Sequence, residues 1–269
     1  MKRYGIVHPL VLSFYSPSLY RDVAEHWTGV GFLYLLLLLA LSWVPPILRF
    51  HHSTAALLET LGPAVLEQVP TISIRHGEVS IQESQPYVIT VPGSDTPLMV
   101  VDTSGQITPE NSQAFVLLMK HQVVVRRNPH ETRTYDLSGV QDLTVDRATV
   151  ERLLNAGKRW LAVLAYPVAL TASYIYRILQ ALLYAAVGIL FANLFRASLE
   201  YAVLLRLTCI ALTPAVVADT VRGILDLDSG LAWWSGCLLI SMGYLLFAVR
   251  ANSPVEPAQS EPLSGASPG

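Results

Sequence analysis

Apolar and polar positions alternate along this chain in two distinct rhythms, and the change of rhythm marks its organisation. From Thr28 to Leu48 no charged residue occurs and leucines dominate, which predicts a first membrane span over residues 29–48. Pro45-Pro46 is expected to end or kink that helix. Between residues 51 and 157 the pattern turns to short runs separated by turn residues. From Trp160 onward long apolar stretches return: 160–176, 178–195, 201–218 and 231–249. The first two, only about 17 and 18 residues long, sit near the lower limit for a span and are read as a hairpin around Arg177, the alternative being one long helix. Residues 160–250 are thus expected to form a four-helix transmembrane region, for about five spans in all.

Residues 1–28 form an amphipathic segment. Leu19, Val23 and Trp27 recur every four positions and share one helical face, and Ser16-Pro17-Ser18 is a plausible start. A short helix lying on the membrane surface is expected. The charged start at Lys2 and Arg3 does not mark a cleavable signal, because the apolar run begins only near Val30 and no small-residue cleavage site follows it. The first span is therefore expected to remain as an anchor.

Within residues 51–157 a linker and a short helix near 55–68 come first. Runs 71–75 and 78–82 flank His76-Gly77, a two-residue hairpin signal. Runs 87–91 and 98–102 are separated by Pro92-Gly93-Ser94-Asp95, and runs 114–120, 122–127 and 132–137 follow. A helix over 146–156 leads straight into the next apolar stretch. The expected fold is an α-helical polytopic membrane protein carrying an inserted α+β, mainly antiparallel β, soluble domain. The Pro, Ser, Gly and Glu-rich residues 251–269 read as a disordered tail.

Composition sharpens this picture. Hydrophobic residues make up 52% and charged residues only 14%, against roughly 25% charged in an average soluble protein. A net charge of −2 gives no electrostatic case for nucleic acid. The two cysteines, Cys209 and Cys237, lie in apolar stretches at no metal or redox spacing. Basic residues are balanced between the two sides of the expected topology, so charge does not fix orientation.

Candidate chemistry is sparse. Val100-Val101-Asp102-Thr103-Ser104-Gly105 resembles the hydrophobic-Asp-Thr-Gly loop of aspartic proteases. That chemistry needs two carboxylates sharing a proton, and here Ser104 intervenes before Gly105 and no second copy exists. A strand end followed by a turn accounts for the residues. Among the 7 histidines, His51-His52 are adjacent, while His76, His121 and His130 lie in or beside turns without ligand spacing. No catalytic, cofactor-binding or metal residue is assigned, and no cofactor is expected. Arg206 is the one ionised residue well inside an apolar stretch. Residues 207–218 would cover only about 18 Å, so the span must begin before Arg206, which then sits about two turns deep. Its side chain either snorkels to the interface or pairs inside the bundle. Pro214 in the same stretch is expected to kink it.

The order of short motifs is familiar. Phe14-x-Ser16-Pro17-x-Leu19-Tyr20 precedes the first span, then come Pro70-x-Ile72-x-Ile74-x-x-Gly77, Gln85-Pro86-Tyr87 and Asp102-Thr103-Ser104-Gly105-x-Ile107-Thr108. In this order the chain resembles a bacterial family catalogued as domain of unknown function 1189, which includes a protein encoded beside maltodextrin-utilisation genes. The last third is similar to the Yip-type membrane fold, in a polar segment at 195–200 followed by Ala211-Leu212-Thr213-Pro214. That likeness implies five spans, a cytoplasmic N-terminus and a role in membrane organisation, although the insert after the first span departs from it. Together these readings imply a multi-pass protein of the cell membrane with a non-enzymatic scaffold, partner-binding or envelope-sensing role. Its partners would be the lipid bilayer and a protein engaged through residues 51–157. The alternative is a membrane transport component or transporter accessory subunit.

Overall fold

Helices form where the apolar stretches lie, and strands form where the short runs lie. The computed structural model describes residues 3–128, 131–228 and 230–254. His130 and the tail beyond Pro254 fall outside the described residues. The chain divides into two units, one built from Met1–Ile47 with Tyr166–Gly269, the other from Leu48–Ala165.

The first unit is helical. A short turn of helix, α1 (Pro9–Leu12), precedes α2 (Pro17–His26), whose first residue is a proline preceded by the extended Ser16. Proline suits that position because its missing N–H would have had no intrahelical acceptor. Leu19, Tyr20, Val23 and Trp27 of this segment are fully buried. They join one core with Tyr34 and Leu35 of α3 (Val30–Ser42), Leu204 and Leu207 of α6 (Tyr201–Ala211), and Leu245 and Ala248 of α8 (Leu231–Ala251). The expected periodic face exists, and α3, α6 and α8 cover it. At its far side the Arg21 Nε donates to the Ala251 carbonyl at 2.7 Å, so the two ends of the unit meet.

One expectation is met and another changes. Pro45-Pro46 interrupts the first apolar helix as expected: α3 stops at Ser42 and a second helix begins at Val44. Trp43 is helical in backbone (φ −81°, ψ −12°), and the prolines fall in the first turn of α4 (Val44–Leu66), where the missing N–H groups cost least. The hairpin expected around Arg177 is absent: α5 (Arg147–Leu194) runs 48 residues without a break, roughly 72 Å. Tyr176-Arg177-Ile178 contains no turn residue, and arginine is a good helix former, so one charge does not reverse the chain. Among the described residues there are therefore four helices long and apolar enough to cross a membrane, Val30–Leu66, Arg147–Leu194, Tyr201–Ile224 and Leu231–Ala251, where the sequence pattern suggests about five. The third consists of α6 and α7 (Thr213–Ile224), hinged at Leu212.

The second unit holds two sheets. The smaller has the order β2-β1-β8, made of β1 (Ile72–Arg75), β2 (Glu78–Ser80) and β8 (Asp142–Val145). The hairpin expected at His76-Gly77 forms, with Arg75 opposite Glu78 and both turn residues at positive φ (49° and 79°). The larger sheet has the order β3-β4-β5-β6-β7, made of β3 (Tyr87–Thr90), β4 (Pro97–Asp102), β5 (Val116–Met119), β6 (Gln122–Asn128) and β7 (Glu131–Asp136). All its pairings are antiparallel except β4 with β5. Those two central strands are covered on both faces. Val101 and Leu118 enter one cluster with Ile72, Ile74 and Val79, while Val100 and Leu117 enter another with Ala114 and Val124. Asp146 caps α5 by accepting the Thr149 N–H at 2.8 Å.

Candidate functional site

The connection between β4 and β5 is tied by a set of side-chain hydrogen bonds, and Asp102 organises it. Its Oδ1 accepts the Ser104 N–H at 2.9 Å, the Ser104 hydroxyl at 2.5 Å and the Gly105 N–H at 3.1 Å. Its Oδ2 accepts the Ile107 N–H at 2.5 Å. Burial favours the neutral acid, but these donors outweigh it and hold the Asp102 carboxyl below the ordinary aspartate range. Gln85 completes the knot, its Oε1 accepting the N–H and the hydroxyl of Thr103, each at 2.7 Å. Both oxygens of Asp102 are thus engaged by its own loop, in the manner of an Asx turn rather than of a protease carboxylate open to a substrate.

Beyond this knot the loop turns at Thr108, whose carbonyl accepts the N–H groups of Asn111 and Ser112. The Ser112 carbonyl in turn holds the Arg126 guanidinium. The Phe115 N–H donates to the Pro97 carbonyl at 3.1 Å and the Arg126 N–H to the Phe115 carbonyl at 2.9 Å. These bonds bring Thr96, Gln113, Phe115, Arg126 and Asn128 around a depression of about 330 Å³. Phe115, just before β5, is 51% exposed there, while Leu117 and Leu118 of that strand are buried. An exposed aromatic ring beside a pinned arginine is the residue chemistry that dominates protein–protein contacts. This depression is the candidate partner-binding site. Sequence reading missed it, because Phe115 looks like one more core residue of an apolar run.

In the helical unit Arg206 is half-buried. Its Nε donates to the Ala202 carbonyl one turn back at 3.1 Å, and among the described residues it has no carboxylate partner. Its acceptor is a backbone carbonyl of its own helix, one turn toward the Glu200 end. Pro214 lies in the first turn of α7, just past the hinge. There the Thr213 and Tyr34 hydroxyls share a buried hydrogen bond of 2.7 Å, a polar tie that neither residue's sequence context announces. Another unanticipated polar centre is Asp22 on α2, which accepts the backbone N–H of Arg3 at 2.9 Å and the indole N–H of Trp27 at 3.2 Å.

The histidines stay dispersed. His51 and His52 stack edge to face at 5.9 Å between ring centroids, and His121 Nδ1 lies 3.3 Å from the Gly77 carbonyl. Among the described residues no three metal-ligating side chains come together. Cys209 is buried and Cys237 half-buried, both as free thiols.

The motifs that carry the family resemblance prove to be joints of the scaffold. Gly77 makes the hairpin turn, the Tyr87 hydroxyl donates to the Gln68 carbonyl at 2.7 Å, and Gln85 and Asp102 tie the β4–β5 loop. A family model described as "Protein of unknown function (DUF1189)" matches residues 7–249. Neither a curated protein nor a solved structure matches the chain.

Proposed function

The chain belongs to the DUF1189 family, and since that family's description names no activity, we propose from its geometry that it is a non-enzymatic, multi-pass protein of the cell membrane that presents its β unit to a protein partner outside the cytoplasm. The observation that carries this reading is the outward face of its long helices. On α5, Val168, Leu179, Leu183, Leu190 and Leu194 are each 61–70% exposed. Water would penalise so much open apolar surface, whereas lipid covers it without cost. The four helices of spanning length are the elements that would cross.

Four crossings put both ends of the chain on one side, and the Arg21 to Ala251 contact supports that even number. The likeness of residues 195–214 to Yip-type regions favours a cytoplasmic N-terminus, and with four crossings the other end would share that side. The β unit then stands outside, and its Phe115–Arg126 depression is the surface offered to the partner. Phe115→Ala and Arg126→Ala in the full chain should leave the protein in the membrane but abolish its crosslinked adduct in intact cells. An adduct unchanged in both variants would remove this surface from the proposal.

The hinge itself favours the second reading, a transport component. A helix interrupted within a 24-residue apolar element, with a buried hydroxyl pair at the break, is the kind of feature that lines a path in carriers. Solute uptake that depends on the Tyr34 hydroxyl would favour it.

A further inference from the structure

We propose that the depression between the end of α5 and the start of α6 recognises the zwitterionic headgroup of a phosphatidylethanolamine-type phospholipid, with Arg196 meeting the phosphate and Glu200 the ammonium. The proposal rests on the membrane reading above.

The site is built by a short, tightly pinned connection. The Arg196 N–H donates to the Asn193 carbonyl at 3.2 Å, the Ala197 N–H to the Ala192 carbonyl at 2.9 Å, and the Leu199 N–H to the Ala197 carbonyl at 2.9 Å. Between these bonds Arg196 is forced to φ +52°, a left-handed conformation that glycine or asparagine would adopt more easily. A strained arginine in an otherwise regular connection points to a use for its side chain.

The connection encloses a cavity of about 590 Å³, open to the outside, lined by Asn193, Arg196, Ser198 and Glu200 over the apolar Ala192 and Leu199. Among the described residues, none of those four polar side chains makes a hydrogen bond or an ion pair. Arg196 and Glu200 carry opposite charges at the rim of one cavity and yet do not pair with each other. A cation and an anion held apart across a polar hollow complement a ligand that carries both signs. Glu200 gives α6 no side-chain cap, and among the described residues the N–H groups of Tyr201 and Ala202 at that helix start have no acceptor, so they too can meet a phosphate.

The surroundings select a lipid over a free solute. Leu190 and Leu194, 66% and 70% exposed on the last turns of α5, offer the apolar surface along which acyl chains would lie. The balanced charge favours a zwitterion over an anionic phosphatidylglycerol. A primary ammonium can donate hydrogen bonds to Glu200 and Ser198, which the trimethylated choline group cannot.

The test uses the full chain in detergent and short-chain lipids added from solution at matched concentrations. Dihexanoylphosphatidylethanolamine should raise the melting temperature by several degrees, as a ligand of the folded state does, and the phosphatidylcholine and phosphatidylglycerol analogues should raise it less. Arg196→Gly relieves the left-handed strain, so it should fold at least as well without lipid while losing the phosphatidylethanolamine response. Glu200→Gln should erase the preference for ethanolamine over choline. Equal shifts with all three lipids, or a full response in Arg196→Gly, would overturn the proposal. An equal shift with free phosphoethanolamine would overturn the lipid source in favour of a soluble zwitterion. Retention of the chain in membranes washed with alkaline carbonate, without a phosphatidylethanolamine response, sinks the site alone. Release of the chain by that wash sinks the membrane reading itself.

Discussion

Single residues in this protein act as joints, and their removal should be felt locally. Asp102 satisfies three backbone N–H groups and a hydroxyl, so Asp102→Ala should destabilise the β unit by about 3 kcal/mol, read as a lower denaturation midpoint, while Asp102→Asn should cost less. Its folded carboxyl titrates below its unfolded one. The stability it contributes is therefore complete above the unfolded value of about 3.9 and is lost as pH falls through the folded value. Melting followed into acid should show a smaller decline in Asp102→Asn than in the parent. Gly77 is tighter still: a Cβ there would lie 2.8 Å from the Ser138 Cα on a backbone at φ +79°. Gly77→Ala should cost at least about 2 kcal/mol in the same measurement. Arg206 should matter little. With its own helix's Ala202 carbonyl as its only partner among the described residues, Arg206→Leu should change stability in detergent by less than about 1 kcal/mol, and a fall of many degrees in the melting midpoint would mean that the residue is held by something further.

At the scale of elements, the hinge between α6 and α7 is the feature with the clearest consequence. Tyr34 on α3 fixes it through Thr213, both buried. Tyr34→Phe removes one partner of a buried hydrogen bond and should cost about 1–2 kcal/mol, part of which Thr213 can recover by turning its hydroxyl to a carbonyl of its own helix. If the hinge serves to pack the bundle, the double variant with Thr213→Val should be no worse than the single one, because the stranded hydroxyl is gone. A strictly additive loss in that cycle would contradict the pairing. The uninterrupted α5 is the other decisive element, since two apolar stretches on one helix give one crossing where two stretches in a hairpin would give two.

For the whole molecule this difference has a direct readout. With four crossings and a cytoplasmic N-terminus, alkaline phosphatase fused after Gly139 should be active and the same enzyme fused after Ser253 should be inactive. A five-span chain would give activity at both positions. The β unit has its own two apolar clusters, and its flanking helices touch through a 3.7 Å contact between Lys158 and Glu59. Residues 48–165 expressed alone should therefore give a mixed α and β circular-dichroism spectrum with a cooperative melt. A random-coil spectrum would show that the unit depends on the rest of the chain.

The local features of this protein were legible in its residues because each has a short-range cause. Leucine density and the absence of charge mark the apolar helices, and His76-Gly77 with its flanking alternation marks a hairpin. The motif order from Phe14 to Thr108 marks the family, whose model matches residues 7–249. What the sequence left open depends on which surfaces meet. The face of Leu19, Val23 and Trp27 has one pattern whether lipid or protein covers it, and only the packing against α3, α6 and α8 decides for protein. Arg177 is compatible with a turn or with a continuous helix, since no local residue forbids either. Phe115 and Leu117 belong to one apolar run, yet Phe115 is exposed and Leu117 buried. That difference arises from pairings between β4, β5 and β6, in which the partners of a residue lie far from it in the chain. Periodicity fixes which side chains share a face, but only the tertiary structure supplies what that face meets.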